Sequence, residues 1–317
     1  MSPRLFMPAL MLCATVLLAA APAHAELRVV TTTTDLGWIA RTLGGDRVHV
    51  DTLCKGNQDP HFLQAKPSYM VTLNRADLLL AVGLELEVGW LPSLVQGARN
   101  PDINPGRPGY LEAATAIKPI NVPKGPVDRA QGDIHPFGNP HFWLDPVNVK
   151  LAASAIADRL AQLDPEGAQG YRANLATLDK RIDGALKRWE AKMAPLRGTK
   201  IASYHQTFNY FHHRFGLQAV GYLEDRPGIP PAPAHLVDLI ARMKAEGVRV
   251  IFHESFYDRA ASTLVGKRTG ANVLVLPTSI QGVPGVDDYE QLIDFIVNQV
   301  VNALAPAGGG AQAQAAR

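Results

Sequence analysis

Segments with the pattern of strands alternate with segments with the pattern of helices along most of this 317-residue chain. Residues 27–34 form a β-branched run, and residues 76–82 form a continuous apolar run of the kind found in buried parallel strands. The alternation resumes in the C-terminal third, with strand patterns at 200–204, 218–222, 248–252 and 272–276. Because such alternation places helices on the faces of parallel sheets, the chain is predicted to be an α/β protein rather than a sandwich or a bundle.

One long helical pattern separates the two alternating regions. It runs through residues 165–196, with apolar side chains such as Leu178, Ile182 and Trp189 at helical spacing. Some thirty helical residues span about 45 Å, which is longer than one small lobe needs. We therefore expect two α/β lobes, at residues 26–164 and 198–305, joined by one long rigid linker helix at 165–197.

The stretch between residues 100 and 139 is rich in Pro, Gly and Asp and shows little periodicity. A short strand is predicted near residues 116–120, and the remainder is predicted to be a long surface loop. Long loops in compact domains often carry function, so this stretch is a candidate part of a binding site.

Both ends of the chain differ in composition from its middle. Residues 1–25 contain one charge, Arg4, then an apolar run and the small-residue ending Ala23-His24-Ala25. This is the layout of a cleaved secretory signal, so we expect export to the periplasm with cleavage near Ala25. Residues 306–317 consist mainly of Ala, Gly and Gln and are predicted to be a disordered tail.

Charge and cysteine content exclude several classes of protein. The chain has 31 basic and 29 acidic residues, and the leader holds one of the basic ones, so the mature chain is almost neutral. A neutral chain has no electrostatic basis for binding nucleic acid or an anionic membrane. Only Cys54 remains after the leader, so no internal disulfide forms and the fold must depend on its hydrophobic cores.

A short phrase occurs twice, eighty positions apart, as Asp59-Pro60-His61-Phe62 and Asn139-Pro140-His141-Phe142. In each copy an imidazole follows a proline that restrains the backbone and precedes an aromatic ring. A third histidine, His205, occupies a similar position between a predicted strand and a helix predicted at 205–215. Three histidines placed alike indicate a single metal ion.

The predicted topology places these histidines in equivalent positions, near the carboxyl ends of strands. Ligands of open α/β sheets bind outside the carboxyl ends of strands, and His61, His141 and His205 all lie in such loops or at helix starts. Glu254 also fits, because it follows the strand predicted at 248–252. Two of the four residues precede the long helix and two follow it, so the inferred site lies in the cleft between the lobes.

Three imidazoles with a carboxylate or a water form a reasonable tetrahedral shell for Zn²⁺, whereas Mn²⁺ favours more oxygen ligands. Glu254 serves equally well as the fourth ligand or as a partner that holds the second N–H of a ligand histidine. Glu224 and Asp225 are reserve carboxylates, and Asp59 is close enough in sequence to His61 to support it.

Most of the other histidines have simpler explanations. His212 lies two turns beyond His205, too far along a helix to share one ion, and His213 and His235 are expected to face solvent. His135 differs because it lies in the long loop, six residues before His141. His135 is therefore a candidate for an auxiliary role in metal capture.

Taken together, the motifs resemble those of the zinc- and manganese-binding substrate-binding proteins of bacterial ABC importers. The similarity covers essentially the whole mature chain and rests on Asp59-Pro60-His61 with Lys66-Pro67-Ser68, Ala76-Asp77-Leu78, Asn139-Pro140-His141-Phe142-Trp143-Leu144-Asp145-Pro146, His205-Gln206-Thr207-Phe208 and Ile251-Phe252-His253-Glu254. The resemblance implies two lobes joined by a single long helix, a metal in the cleft, and delivery to an inner-membrane permease powered by an ATPase. We expect the protein to be a monomer. His61, His141 and His205 match the family's histidine ligands, and histidine rather than glutamate at the third position favours zinc.

Two departures from the family pattern bear on the site. The family's usual fourth ligand is an aspartate after the strand that corresponds to 272–276, where this chain has Thr278 and Ser279. Many zinc-binding members also carry a His-rich acidic loop, whereas residues 121–138 offer only His135, Asp128 and Asp133. The sequence therefore does not identify the fourth ligand.

The leading hypothesis is a periplasmic receptor, not an enzyme, that captures Zn²⁺ for an ABC importer. A secreted zinc hydrolase with Glu254 as general base is an alternative, although the chain has no His-Glu-x-x-His helix and no nucleophile elbow. A metal-binding adhesin or sensor is a third hypothesis.

Overall fold

The computed structural model describes residues 26–127 and 132–305, so the predicted leader and the predicted tail both lie outside the described residues. Four parallel strands form a first sheet in the order β2-β1-β3-β4. Their bounds are Leu27–Thr31 (β1), Val48–Thr52 (β2), Leu78–Ala81 (β3) and Tyr110–Glu112 (β4). This sheet is the centre of the N-terminal lobe.

A second parallel sheet repeats the same strand order in the C-terminal half, as β6-β5-β7-β8. Its strands are Lys200–Ser203 (β5), Gln218–Tyr222 (β6), Val250–Glu254 (β7) and Asn272–Leu276 (β8). The predicted fold class, two parallel α/β lobes, is confirmed. Sheets of this kind bind ligands in the loops that follow the carboxyl ends of their strands.

The described residues contain helices within each lobe and one long helix between the two sheets. In the first lobe they are Thr34–Gly44 (α1), Pro67–Asn74 (α2), Leu91–Ala98 (α3) and Pro146–Leu163 (α4). The long helix is Ala168–Met193 (α5), and the second lobe has Asn209–Phe215 (α6), Pro233–Ala245 (α7), Ala260–Thr269 (α8) and Tyr289–Leu304 (α9).

Side-chain caps start several of these helices where the sequence pattern begins them. Asp145 accepts a hydrogen bond from the backbone N of Val147 at the start of α4, and Asp288 forms a reciprocal capping box with Gln291 at the start of α9. Each cap satisfies backbone N–H groups that have no partner within the helix. No described helix is both long enough and apolar enough to cross a bilayer.

The predicted long helix between the lobes is confirmed. Helix α5 has 26 residues, or about 39 Å, and tight 3-10 turns at Pro165–Gly167 and Ala194–Leu196 extend it at both ends. One face of α5 is buried, including Leu178, Ile182 and Trp189.

The largest hydrophobic core crosses from one lobe to the other. It contains residues of α1 and α4 from the first lobe, the buried face of α5, and Phe208, Phe252 and residues of α9 from the second lobe. Two smaller cores lie on the opposite face of each sheet, one under α2 and α3 and one under α7 and α8. A core shared between the lobes resists their separation, because opening it would expose apolar surface.

Some local predictions were wrong. The strand predicted near residues 116–120 is absent from the described residues there, and β4 lies earlier, at Tyr110–Glu112, followed by a 3-10 turn at Ala113–Ala116. The helix predicted from His205 begins four residues later, because α6 starts at Asn209. Glu254 is the last residue of β7 and does not follow the strand.

Candidate metal centre

The structure brings His61, His141 and His205 together. One ring nitrogen from each lies within 4.8 Å of the other two. All three side chains are buried, with exposed fractions of 7%, 2% and 3%. His61 follows β2 by a short loop, His141 precedes the turn that leads into α4, and His205 follows β5, so the cluster has two members from the first lobe and one from the second.

The two copies of the Asx-Pro-His phrase fold in the same way. Asp59 Oδ1 accepts hydrogen bonds from the backbone N of His61, at 2.9 Å, and from its Nδ1, at 2.7 Å. Asn139 Oδ1 accepts the same two bonds from His141, both at 2.9 Å. Because Nδ1 is the donor in each pair, the neutral ring carries its free lone pair on Nε2.

His205 is also held through Nδ1, but by a side chain 19 positions away instead of by a residue of its own loop. Its Nδ1 lies 2.7 Å from Glu224 Oε2, which also accepts the backbone N of Gly228 at 3.0 Å. The reserve carboxylate Glu224 is thus a partner of a clustered histidine. All three imidazoles are held through Nδ1, the arrangement that orients metal-binding histidines and leaves Nε2 for the ion.

Electrostatics keep the cluster suited to a cation. Burial, and then the neighbouring His61, His205 and His135, lower the pKa of His141 well below its usual range, so this ring stays neutral. Burial would raise the pKa of the Asp59 carboxyl, but its hydrogen bonds and charge interaction with His61 outweigh burial and lower the pKa. The site therefore combines the neutral ring of His141 with the ionised supporting carboxylate of Asp59.

His135 lies at the edge of the cluster. Its Nε2 is 3.3 Å from His61 Nε2, and the two ring centroids are 5.3 Å apart. The long loop before Asn139 carries it there. His135 is outside the group of three, yet it is the histidine that the loop offers to His61.

Glu254 lies deeper in the second lobe. It is completely buried at the end of β7, and neither carboxylate oxygen makes a hydrogen bond of normal geometry within the described chain. Burial raises the pKa of Glu254 to about 8, although the nearby Thr207 side chain opposes that rise. Its oxygens are not part of the group in which every donor lies within 4.8 Å of the others.

The loop that follows β8, where the family pattern has an aspartate, connects the lobes. Thr278 O accepts Trp143 Nε1 at 2.7 Å, Ile280 N donates to Asp35 Oδ1 at 3.1 Å, and Thr34 Oγ1 donates to Ile280 O at 2.7 Å. Each bond joins this loop to the first lobe. The segment therefore contributes to lobe contact, and Thr278 and Ser279 bring no carboxylate to the cluster.

Two supporting residues were missed in the sequence. Asn139 has the position in its phrase that Asp59 has in the other, so the repeat itself was a usable signal. Tyr257 O–H donates to Asp59 Oδ2 at 3.0 Å from 198 positions away, and no local pattern indicates such a contact.

The cleft around the histidines contains two cavities of about 380 and 310 Å³; His141 and His205 line the first, and His61 lines the second. A larger cavity, of about 780 Å³, lies beside α3 and is lined mainly by apolar side chains. None of the described histidines lines that larger space, so the candidate metal centre is the histidine cluster in the cleft, despite its smaller cavities.

Two α/β lobes around a shared core, with histidines from both lobes meeting in a cleft, define a two-lobed receptor for a small ligand. A family model described as ZnuA, zinc-uptake complex component A, periplasmic, matches residues 29–303. The chain belongs to this family, which comprises metal-binding substrate-binding proteins of ABC importers.

Individual relatives agree with that assignment. The high-affinity zinc uptake system protein ZnuA of Yersinia pestis is 27% identical over 312 residues, covering 93% of this chain and 96% of that protein. The manganese ABC transporter substrate-binding lipoprotein PsaA of Streptococcus pneumoniae is 24% identical over 290 residues, covering 88% and 89%. A crystal structure of ZnuA superposes with a TM-score of 0.74 at 25% identity, covering 88% of this chain and 99% of that one.

Proposed function

We propose that the protein captures Zn²⁺ in the periplasm and delivers it to the permease of an inner-membrane ABC importer. The observation that carries this proposal is the convergence of three buried imidazoles, each held through Nδ1 so that Nε2 is available. The relatives named for zinc uptake support it.

The donor chemistry favours zinc over manganese. Neutral imidazole nitrogen is a good ligand for Zn²⁺, which accepts four ligands in a tetrahedron, whereas Mn²⁺ prefers carboxylate and water oxygen. The direct ligands that we propose are His61 and His141 from the first lobe, residues 26–164, and His205 from the second, residues 198–305. Glu254 remains the carboxylate candidate for the fourth position, with His135 or water as alternatives.

Capture and release both follow from neutral imidazole donors. A proton and a metal ion compete for the same Nε2 lone pair, so affinity decreases as the pH falls. A cargo site must also let its ion leave, and three donors from one chain with a replaceable fourth ligand are compatible with transfer to a permease.

Equilibrium dialysis with elemental analysis tests the proposal. The metal-free mature protein should retain one Zn²⁺ per chain at neutral pH in competition with Mn²⁺. A variant with His61, His141 and His205 all changed to Ala should retain none, whereas the control His213→Ala, on an exposed face of α6, should behave as wild type. Full zinc retention by the triple variant would refute the ligand assignment.

Delivery needs a separate measurement. In a zinc-limited host that lacks its own receptor of this type, the chain expressed with its cognate permease and ATPase should restore ⁶⁵Zn uptake, and the triple variant should not. Uptake that is unchanged by the triple variant would refute the proposed transport role even if the protein binds zinc.

A further inference from the structure

Tyr257 links the two lobes at the metal centre. It lies in the loop between β7 and α8 of the second lobe, and its hydroxyl donates to Asp59 Oδ2 of the first lobe at 3.0 Å. The other oxygen of the same carboxylate, Oδ1, accepts His61 Nδ1 at 2.7 Å. The Asp59 carboxylate therefore accepts a hydrogen bond from the second lobe while it orients His61 of the first lobe.

The ring of Tyr257 also contacts the second-lobe side of the cluster. Its centroid is 6.4 Å from that of His205, edge to face, and 5.0 Å from that of Tyr204. Tyr257 thus touches His205 directly and reaches His61 through Asp59. A side chain in that place fixes the relative position of two donors that belong to different lobes.

The hydroxyl is a dependable donor. The ordinary pKa of a tyrosine phenol is about 10, so at neutral pH the proton stays on the oxygen and the hydroxyl can donate. A hydrogen bond from a neutral donor to an ionised carboxylate is stronger than one between neutral groups.

We propose that Tyr257 is a positioning residue that sets the spacing of the histidine donors across the cleft and thereby favours Zn²⁺ over larger ions. This inference rests on the proposed function. Zn²⁺ needs nitrogen donors at about 2.0–2.1 Å in a tetrahedron, so donors held at fixed separation favour it over an ion that needs longer bonds. The same link slows release, because His61 and His205 cannot separate while Tyr257 holds Asp59.

The test uses Tyr257→Phe in the mature full-length protein, with Tyr171→Phe as a matched control. Tyr171 O–H donates to Asp164 Oδ2 at 2.5 Å, so the control removes a tyrosine–aspartate hydrogen bond of the same kind away from the cleft. Three quantities are measured for each protein: the rate of Zn²⁺ release to a chelator, the ratio of Zn²⁺ to Cd²⁺ affinity, and the visible absorption of the Co²⁺-loaded form.

Tyr257→Phe should release Zn²⁺ about 10-fold to 100-fold faster, the range expected for loss of a hydrogen bond to a charged group. It should also reduce the preference for Zn²⁺ over Cd²⁺ and shift the Co²⁺ absorption bands, while Tyr171→Phe changes none of these. In an Asp59→Ala background, the further change Tyr257→Phe should alter release less than about 2-fold, since its acceptor is gone.

Two results would overturn the inference: wild-type release, selectivity and Co²⁺ spectrum in Tyr257→Phe, or an equally large effect of that change in the Asp59→Ala background. Circular dichroism of each variant confirms the fold. Failure of the proposed function would be distinct, because the wild-type protein would then fail to bind Zn²⁺ at all.

Discussion

The two Asx-Pro-His loops have the same local geometry and different chemistry. In both, an Oδ1 oxygen accepts the backbone N and the Nδ1 of the histidine two positions later. In the first loop that oxygen belongs to the charged Asp59, and in the second it belongs to the neutral Asn139. The local turn does not require one or the other, since both side chains make it.

The difference follows from what the second lobe presents to each loop. Tyr257 presents a hydroxyl donor, which needs an acceptor, and Asp59 Oδ2 accepts it. Gln206 presents a backbone carbonyl, which needs a donor, and Asn139 Nδ2 donates to it at 2.9 Å. Tyr210 completes the second contact by donating to Asn139 O at 2.9 Å. The identity of each Asx residue is thus determined by its partner across the cleft.

The largest expected effect is the fall in Zn²⁺ affinity when His61 or His141 is removed. His61→Ala or His141→Ala removes a proposed zinc ligand, so the affinity for Zn²⁺ should fall by more than the roughly 10-fold to 100-fold that loss of an outer partner costs. Competition titration with a chromophoric chelator measures it. If one of the two variants binds as tightly as wild type, the two loops do not play equivalent roles.

Asn139→Asp should be the more harmful of the two Asx exchanges. It removes the bond from Nδ2 to Gln206 O and places a buried carboxylate oxygen against a carbonyl oxygen. We expect the free energy of unfolding to fall by about 1–3 kcal/mol, the cost of leaving a buried group unsatisfied. Urea unfolding of the metal-free protein measures this, and an unchanged midpoint would contradict the comparison.

Asp59→Asn should lower the free energy of unfolding less than Asn139→Asp does. The second loop shows that an amide oxygen can hold the histidine in the same turn, so the fold should be retained. Loss of the negative charge beside His61 weakens the electrostatic attraction for a bound cation, and Zn²⁺ affinity should fall by about 10-fold, the lower end of the range for outer partners. The Zn²⁺ dissociation constant is the measurement, and an effect larger than that of His61→Ala would be inconsistent.

His212 shows the effect of burial without a polar partner. It is buried beside Phe252, with ring centroids 4.9 Å apart, and neither ring nitrogen has a hydrogen bond within the described chain. Burial lowers its pKa to about 3. Because the unfolded chain takes up the proton first, the stability that depends on His212 is complete above about pH 6.5 and declines as the pH falls towards 3.

The smallest expected effect is that of His212→Phe, which should remove the part of the pH dependence of stability that comes from His212. At pH 5.5 the wild-type protein should lose about 1 kcal/mol of stability through this residue, and the variant should lose none of that part. The readout is the slope of unfolding free energy against pH in metal-free protein, since overpacking changes absolute stability but not the slope. An identical slope in both proteins would exclude the contribution of His212.

Much of the fold was readable from local pattern. The alternation of strands and helices, the long helix and the start of α4 at Asp145 depend on periodicity and capping, which act over a few residues. Strand β4 was misplaced because it is three residues long in an irregular region. In the long loop the sequence singled out His135 as a candidate for auxiliary metal capture, but it did not indicate that His135 approaches His61 Nε2.

For the candidate site, residue chemistry and long-range packing contributed different parts. The sequence itself identified the three histidines, His61, His141 and His205. The turns formed by Asp59 and Asn139 are also local, because each side chain bonds the histidine two positions later. Which group faces each turn depended on how the two lobes pack. Tyr257 meets Asp59 and Gln206 meets Asn139, because the shared core and α5 hold the lobes in one relative orientation. Glu224 meets His205 within the second lobe, through the packing of β6 beside β5. Backbone preferences act between neighbours in sequence, whereas hydrogen bonds across a cleft exist only once burial of apolar surface has brought the lobes together.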